Sequence, residues 1–319
     1  MTMQHTVLSG WRFRALLLIV LLSALGYLAF SLWAGWHEVV AAIVHVGFAG
    51  TIIALALSLV NYGVRFVRWQ KYLAQFGHHI YMPESLRIYI AGFGLTILPG
   101  KAGEAIRSVF LKKFGVSYPE SLAAFFAEHF TNLIVMLLLV AVGLWVYPKA
   151  QPMVMILTFM IFAVLIALQQ RKWLKKLKSF VQTRFPPKVG GLFGHGVEIV
   201  LHSGRCFSLP MLFYGISLGL IAWGAEGFAF YYIMRLLGSD LSLPVALFIY
   251  AFSMLVGALS FLPGGLGGAE ATMIALLMLY KVAQPQAVAA TILIRLATLW
   301  FAVLLGVIAL SLPERTHKI

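Results

Sequence analysis

Charge is scarce in this chain: only 11% of its 319 residues are Asp, Glu, Lys or Arg, and just 10 are acidic. A soluble domain carries about 25% charged residues, so a water-facing surface cannot be assembled and a soluble enzyme is excluded. Cysteine occurs once, at Cys206, which excludes an intramolecular disulfide and a cysteine-based metal cluster and leaves the redox compartment open. The sequence has no Gly-x-x-x-x-Gly-Lys-Ser/Thr loop for ATP and no His-Glu-x-x-His pair for zinc. No metal, no cofactor and no catalytic residue are therefore expected.

What is present is apolar: 61% of the residues are hydrophobic and the mean hydropathy is +0.93. Runs of about 20 apolar residues, enough to cross a hydrocarbon core about 30 Å thick, cover 13–34, 48–66, 123–147, 154–169 and 210–234. The first follows Arg12 and Arg14 like a signal peptide, but it continues to Trp33 without a small-x-small cleavage site, so a retained span is expected. The net charge of +14 would suggest nucleic acid in a soluble protein. Here Lys and Arg gather beside the ends of apolar runs, which encodes membrane orientation and favours phospholipid headgroups as the polyanion. The densest group, from Arg171 to Lys188, occupies the only long polar stretch and is expected to be a cytoplasmic loop over 170–208. Aromatic residues near span ends, such as Trp33, Trp36, Trp69, Trp145, Tyr147 and Trp173, are expected to anchor at the interface.

The chain also repeats itself. Pro83, Leu86, Ile88 and Tyr89 recur in register as Pro244, Leu247, Ile249 and Tyr250, at an offset of 161. Leu98-Pro99-Gly100-Lys101-Ala102-Gly103-Glu104-Ala105 is answered by Leu262-Pro263-Gly264-Gly265-Leu266-Gly267-Gly268-Ala269-Glu270-Ala271, the offset growing from 164 to 166. Pro119 opens the helix carrying Glu128 as Pro285 opens the helix carrying Arg295. Duplicated units of this kind build many transporters. Repeat 1 is placed at about 48–147 and repeat 2 at about 209–312, within a single membrane domain over 1–319.

Around each Pro-Gly break the helices are too short to cross, about 21 Å for 84–97 at 1.5 Å per residue. Either each pair dips in and returns as a re-entrant hairpin, or its halves form one broken crossing helix. Charge chooses the hairpin in the first repeat. With both termini cytoplasmic, 20 of the 24 Lys and Arg then fall inside, whereas a crossing helix would throw the basic loop outward against the positive-inside rule. The same parity makes the repeat inverted. In the second repeat the hairpin rests on the repeat alone. The expected architecture is an all-α polytopic membrane protein, with six full spans and two opposed re-entrant hairpins, about eight hydrophobic segments, and an amphipathic segment near 189–207.

Candidate functional residues are those that interrupt the apolar pattern. Pro99, Gly100, Lys101, Gly103 and Glu104, with Pro263, Gly264, Gly265, Gly267 and Glu270, put non-helical backbone at membrane depth. That is tolerated only where protein or water satisfies it, so they are expected to line a hydrated cavity. Glu104 and Glu270 sit in first helical turns, where each serves either as a helix-start residue or as a cavity group. Glu128, His129, Glu226 and Arg295 lie far from span ends, where a charge costs at least about 2.5–3.5 kcal/mol, so they are expected to be paired or to face water. Glu226 and Arg295 pair with each other or with Glu270. Asn61 and Arg65 are one turn apart on one helix face, and Arg107 follows Glu104 by three residues. Both arginines either snorkel to the interface or bind a lipid phosphate.

At the motif from Leu98 to Glu104, Arg107, the motif from Pro263 to Glu270, and Arg295, the sequence resembles the flippase-like family that includes the transmembrane region of lysylphosphatidylglycerol synthase. The resemblance covers about 10–312. It implies movement of a phospholipid or lipid-linked headgroup between leaflets of a cell membrane, a bacterial inner membrane being expected, and a lipid-modifying enzyme as a partner. With only a few residues after the resemblance, no soluble lysyltransferase domain and no lysine transfer are expected. Rival expectations are proton-coupled transport of a small solute through Glu128 or Glu270, and lipid chemistry or accessory work in lipid or glycolipid synthesis, with Glu128 and His129 as acid and base.

Overall fold

The computed structural model describes residues 18, 36–96, 105–144, 148, 151–184, 186–260 and 262–312. The expected first span over 13–34, Leu18 apart, lies outside the described residues, as do Pro99, Gly100, Lys101, Gly103 and Glu104 and the anchors Trp33, Trp145 and Tyr147. Among the described residues every regular element is helical. α1 is Trp36–Ala74, α2 Met82–Phe93, α3 Arg107–Leu111, α4 Tyr118–Val142, α5 Gln151–Gln169, α6 Arg171–Arg184 and α7 Pro187–Ser203. After these come α8 Leu209–Leu236, α9 Leu243–Leu259, α10 Gly268–Leu279, α11 Gln284–Arg295 and α12 Phe301–Ser311.

Five stretches are long and apolar enough to cross a membrane: Val40–Ala74, Tyr118–Val142, Gln151–Leu168, Leu209–Leu236 and Gln284–Ser311. They are the five expected spans that fall on described residues, and the protein is an all-α polytopic membrane protein. Side chains such as Phe48, Phe159 and Phe213, more than 70% exposed, face outward from these helices, as lipid contact requires. α2 and α10, of 12 residues each, reach only about 18 Å, and the 17-residue α9 about 26 Å, all short of the hydrocarbon core.

Local chemistry sets the boundaries. α1 breaks at Gly47, whose φ of 67° suits glycine, directly before the run that begins at Phe48. α4 starts five residues earlier than the apolar run because Ser117 and Glu120 form a reciprocal capping box ahead of it. The segment 170–208, expected as a loop, is mostly two helices. Arg171–Arg184 is made of helix formers such as Lys, Leu, Gln and Arg, and Pro187 opens the next helix, where its missing N–H costs nothing. Trp173, 71% exposed, sits on the first of these.

The helices pack reciprocally. α1 makes its most extensive contact with α8; α2 lies against α12 while α9 lies against α4; α4 lies against α8 while α1 lies against α11. Specific bonds follow suit. Tyr62 Oη donates to the Thr298 carbonyl, and Trp223 Nε1 donates to Asn132 Oδ1 at 3.1 Å, Trp223 standing 161 positions after Tyr62 and Thr298 166 after Asn132. Asn61 Nδ2 donates at 2.9 Å to the carbonyl of Ala222, the residue 161 positions on. At the α2–α12 crossing the backbones touch: a Cβ built on Gly306 would lie 1.9 Å from Gly94 N.

Candidate functional site

The polar residues buried in the bundle fall into three groups. In the first, Glu128 on α4 is held from both sides. Arg107 Nη1 donates to one carboxylate oxygen at 3.0 Å, while Arg65 Nη2 at 3.3 Å and Tyr89 Oη at 2.7 Å donate to the other. Arg107 reaches Glu128 across the Tyr89 ring, 4.1 Å from its centroid. Arg65 lies between the rings of Trp223 and Phe93, at 5.3 and 5.5 Å, and its Nη1 reaches Asn61 Oδ1 at 3.5 Å. Both arginines are buried, so neither snorkels to the interface; the carboxylate between them offsets the cost of burying a guanidinium.

The second group surrounds the second Pro-Gly break. Gly264, Gly265 and Gly267 have φ of 61°, 69° and 85°, a left-handed run that favours glycine. The run delivers Gly267 N to Glu270 Oε2 at 2.7 Å, so Glu270 caps α10. Its other oxygen accepts from Arg295 Nε at 2.6 Å, and Arg295 Nη2 donates to the Gly264 carbonyl at 3.0 Å. Arg295 therefore pairs with Glu270 and, at the same time, clamps the break. The third group is Glu226, buried on α8, which accepts from Tyr250 Oη at 2.6 Å. Among the described residues it forms no ion pair.

These groups meet at a cavity of about 370 Å³ between the two halves. Of the expected site residues, Arg65, His129, Glu226, Gly264, Gly265 and Arg295 line it. Asn61, Arg107, Glu128, Gly267 and Glu270 stand behind that wall and position it. His129 Nδ1 lies 3.0 Å from the Phe125 carbonyl and its ring stacks 4.2 Å from the Phe125 ring. The lining is reciprocal. Each wall residue drawn from the first half has a counterpart in the wall from the second: Tyr62 and Trp223, Arg65 and Glu226, Phe93 and Met254 at an offset of 161; His129 and Arg295, Asn132 and Thr298, Leu133 and Leu299 at 166.

Comparison with known proteins bears on what such a bundle is. The chain matches the family described as Lysylphosphatidylglycerol synthase TM region over residues 8–306. It belongs to that family. Relatives are archaeal and named as UPF0104 membrane proteins. One from Methanothermobacter thermautotrophicus is 26% identical over 314 residues, covering 90% of each chain. One from Pyrococcus horikoshii is 22% identical over 306 residues, covering 86% of this chain and 90% of the relative. A shorter match from the first organism, 33% identical over 100 residues, covers 30% of that relative's length.

Several groups in and behind the wall carry no mark in the sequence. Tyr62, Tyr89, Trp223 and Tyr250 sit inside apolar runs, where aromatic residues read as packing or interface anchors. Trp69 was expected at the interface but is 1% exposed, packed against Tyr89 with the Arg107 guanidinium 6.0 Å over its ring. The π-helical turn Leu296–Trp300, directly after Arg295, is likewise silent in the sequence. Such turns concentrate at functional sites, and this one carries the wall residue Thr298. The repeat offset itself was the signal available: it sets Arg65 against Glu226 and Tyr89 against Tyr250.

Proposed function

We propose that this protein is an ATP-independent translocase that moves a phospholipid or lipid-linked headgroup between leaflets, through the cavity between two inverted halves. The observation that carries this reading is the reciprocal wall: a largely apolar cavity with a few ionisable and polar side chains inside a lipid-facing bundle, built from equivalent positions of two units. Units of opposite orientation that share one central site exchange access between the two sides by rocking against each other. The headgroup, in this reading, enters the cavity while the acyl chains remain in the bilayer. In this reading α2 with α3, and α9 with α10, form the two re-entrant hairpins, and the basic helix α6, with α7 after it, lies on the cytoplasmic side of a cell membrane. The protein performs no chemistry: both oxygens of Glu128 are taken by Arg65, Arg107 and Tyr89, leaving none to act as a base for His129.

Proton-coupled transport of a solute draws on one observation, the carboxylate of Glu226 in the wall, which forms no ion pair among the described residues. Glu128 and Glu270, the carriers the sequence suggested, are both bound to arginine. Purified protein in liposomes, with a trace of phospholipid labelled on an acyl chain, decides the matter. Albumin added outside extracts only the outer half of the label from empty vesicles. With the protein present and no ATP, it extracts nearly all. Extraction that stays at half across a panel of lipids would overturn the proposal.

A further inference from the structure

α5, long and apolar enough to cross a membrane, ends at Gln169, and a single residue, Gln170, separates it from α6, Arg171–Arg184. α6 therefore starts at the edge of the membrane, and its surface is unlike that of the spans. At about 100° per residue, Trp173, Leu177 and Phe180 fall within about 60° of one another round the helix axis. They are 71%, 49% and 59% exposed. Lys172 and Lys176, both exposed, flank this stripe on one side. The half-buried Leu174, Lys178 and Val181 mark a different face, the one turned to α7, where Lys178 Nζ reaches Glu198 Oε2 at 3.4 Å. One face of α6 is thus closed by its neighbour, and a second, apolar and edged with lysine, is covered by no described residue.

Trp, Leu and Phe side by side are costly in water, and lysine is costly in hydrocarbon. The boundary between headgroups and acyl chains accommodates both, the aromatic and aliphatic groups inward and the ammonium groups outward. Charge decides what kind of surface this is. Over positions 151–208 there are eight Lys and Arg and a single acidic residue, Glu198, which already holds Lys178. The excess finds no carboxylate within its own segment, whereas anionic headgroups supply a layer of negative charge at the depth of Lys172 and Lys176. An acidic soluble partner would meet the charge but would not account for a stripe that begins one helical turn beyond the end of a span.

We propose that α6 is a docking helix for anionic phospholipid, lying in the headgroup layer with Trp173, Leu177 and Phe180 towards the acyl chains and Lys172 and Lys176 among the phosphates. The assignment does not depend on what enters the cavity.

The full chain, with Cys206→Ser as the background, is given one cysteine carrying an environment-sensitive fluorophore. The cysteine is placed by Leu177→Cys in the stripe or by Ser179→Cys, about 200° away round the axis. Each protein is reconstituted in vesicles of phosphatidylcholine, alone or mixed with phosphatidylglycerol, and quenching by acrylamide, a neutral aqueous quencher, is read. At 177 quenching is expected to fall severalfold in the mixed vesicles, with emission moving to the blue; at 179 neither changes. Each lysine at an anionic surface favours the docked state about fivefold, so Lys172→Gln with Lys176→Gln weakens docking roughly 25-fold and restores quenching at 177 to its level in phosphatidylcholine. High salt does the same with both lysines in place, which keeps the test independent of how the variant folds. Equal quenching at 177 in the two kinds of vesicle overturns the proposal, whether the position is open in both or shielded in both. So does a position open in both that soluble polyglutamate shields, which gives the surface to an acidic protein instead.

Discussion

Glu128 joins three elements of the first half through Arg65 on α1, Tyr89 on α2 and Arg107 on α3. Glu128→Gln removes the carboxylate that the two buried guanidiniums share, and removing one member of a buried pair costs about 3–5 kcal/mol. The expected result is a lower unfolding midpoint in detergent; a midpoint equal to that of the unmodified protein would show that water already solvates the arginines. Cys206, the only cysteine, is 1% exposed at the foot of α8, and burial pushes its thiol up to about 12. Thiolate is the reactive form, so at neutral pH its population falls about a thousandfold below that of an ordinary thiol. Maleimide labelling followed by mass spectrometry should be slow in the folded protein and fast after denaturation. Single ionisable residues were legible in the sequence because each is costly in a bilayer. Their partners were not: Arg65 and Glu128 are 63 positions apart, and nothing in local spacing marks Arg107 as a partner of Glu128.

At the scale of elements, composition was enough to place the spans, since a run of 20 apolar residues has few other uses. It missed the helix α6, because a basic stretch reads equally as a loop, while the amphipathic segment expected near 189–207 falls on α7. It also missed how closely α2 and α12 approach. Gly306→Ala would drive a methyl group into the backbone of Gly94, whereas a Cβ on Gly63, within the long α1, meets nothing within 4 Å. Alanine at position 63 should stabilise by up to about 1 kcal/mol through helix propensity. Alanine at 306 should destabilise. Thermal unfolding of the two variants side by side checks the sign of each; equal midpoints would mean that α2 and α12 separate without penalty.

For the whole molecule, the expectation of a duplication came from Pro-Gly breaks and prolines alone. Its consequence, a cavity whose walls come from matched positions, needed the packing of α1 on α8 and of α2 and α9 on the opposite halves. The claim that lipid passes between those halves is tested most directly by tying them together across the cavity. With Cys206→Ser as the background, cysteines at the matched wall positions Leu133 and Leu299 are joined by a bifunctional thiol reagent that a reductant cleaves. Transbilayer movement of an acyl-labelled phospholipid is then followed by albumin extraction before bridging, after it, and after reduction. The account predicts a rate that falls to that of empty liposomes when bridged and returns on reduction. A rate unchanged by a bridge shown to be complete would contradict it.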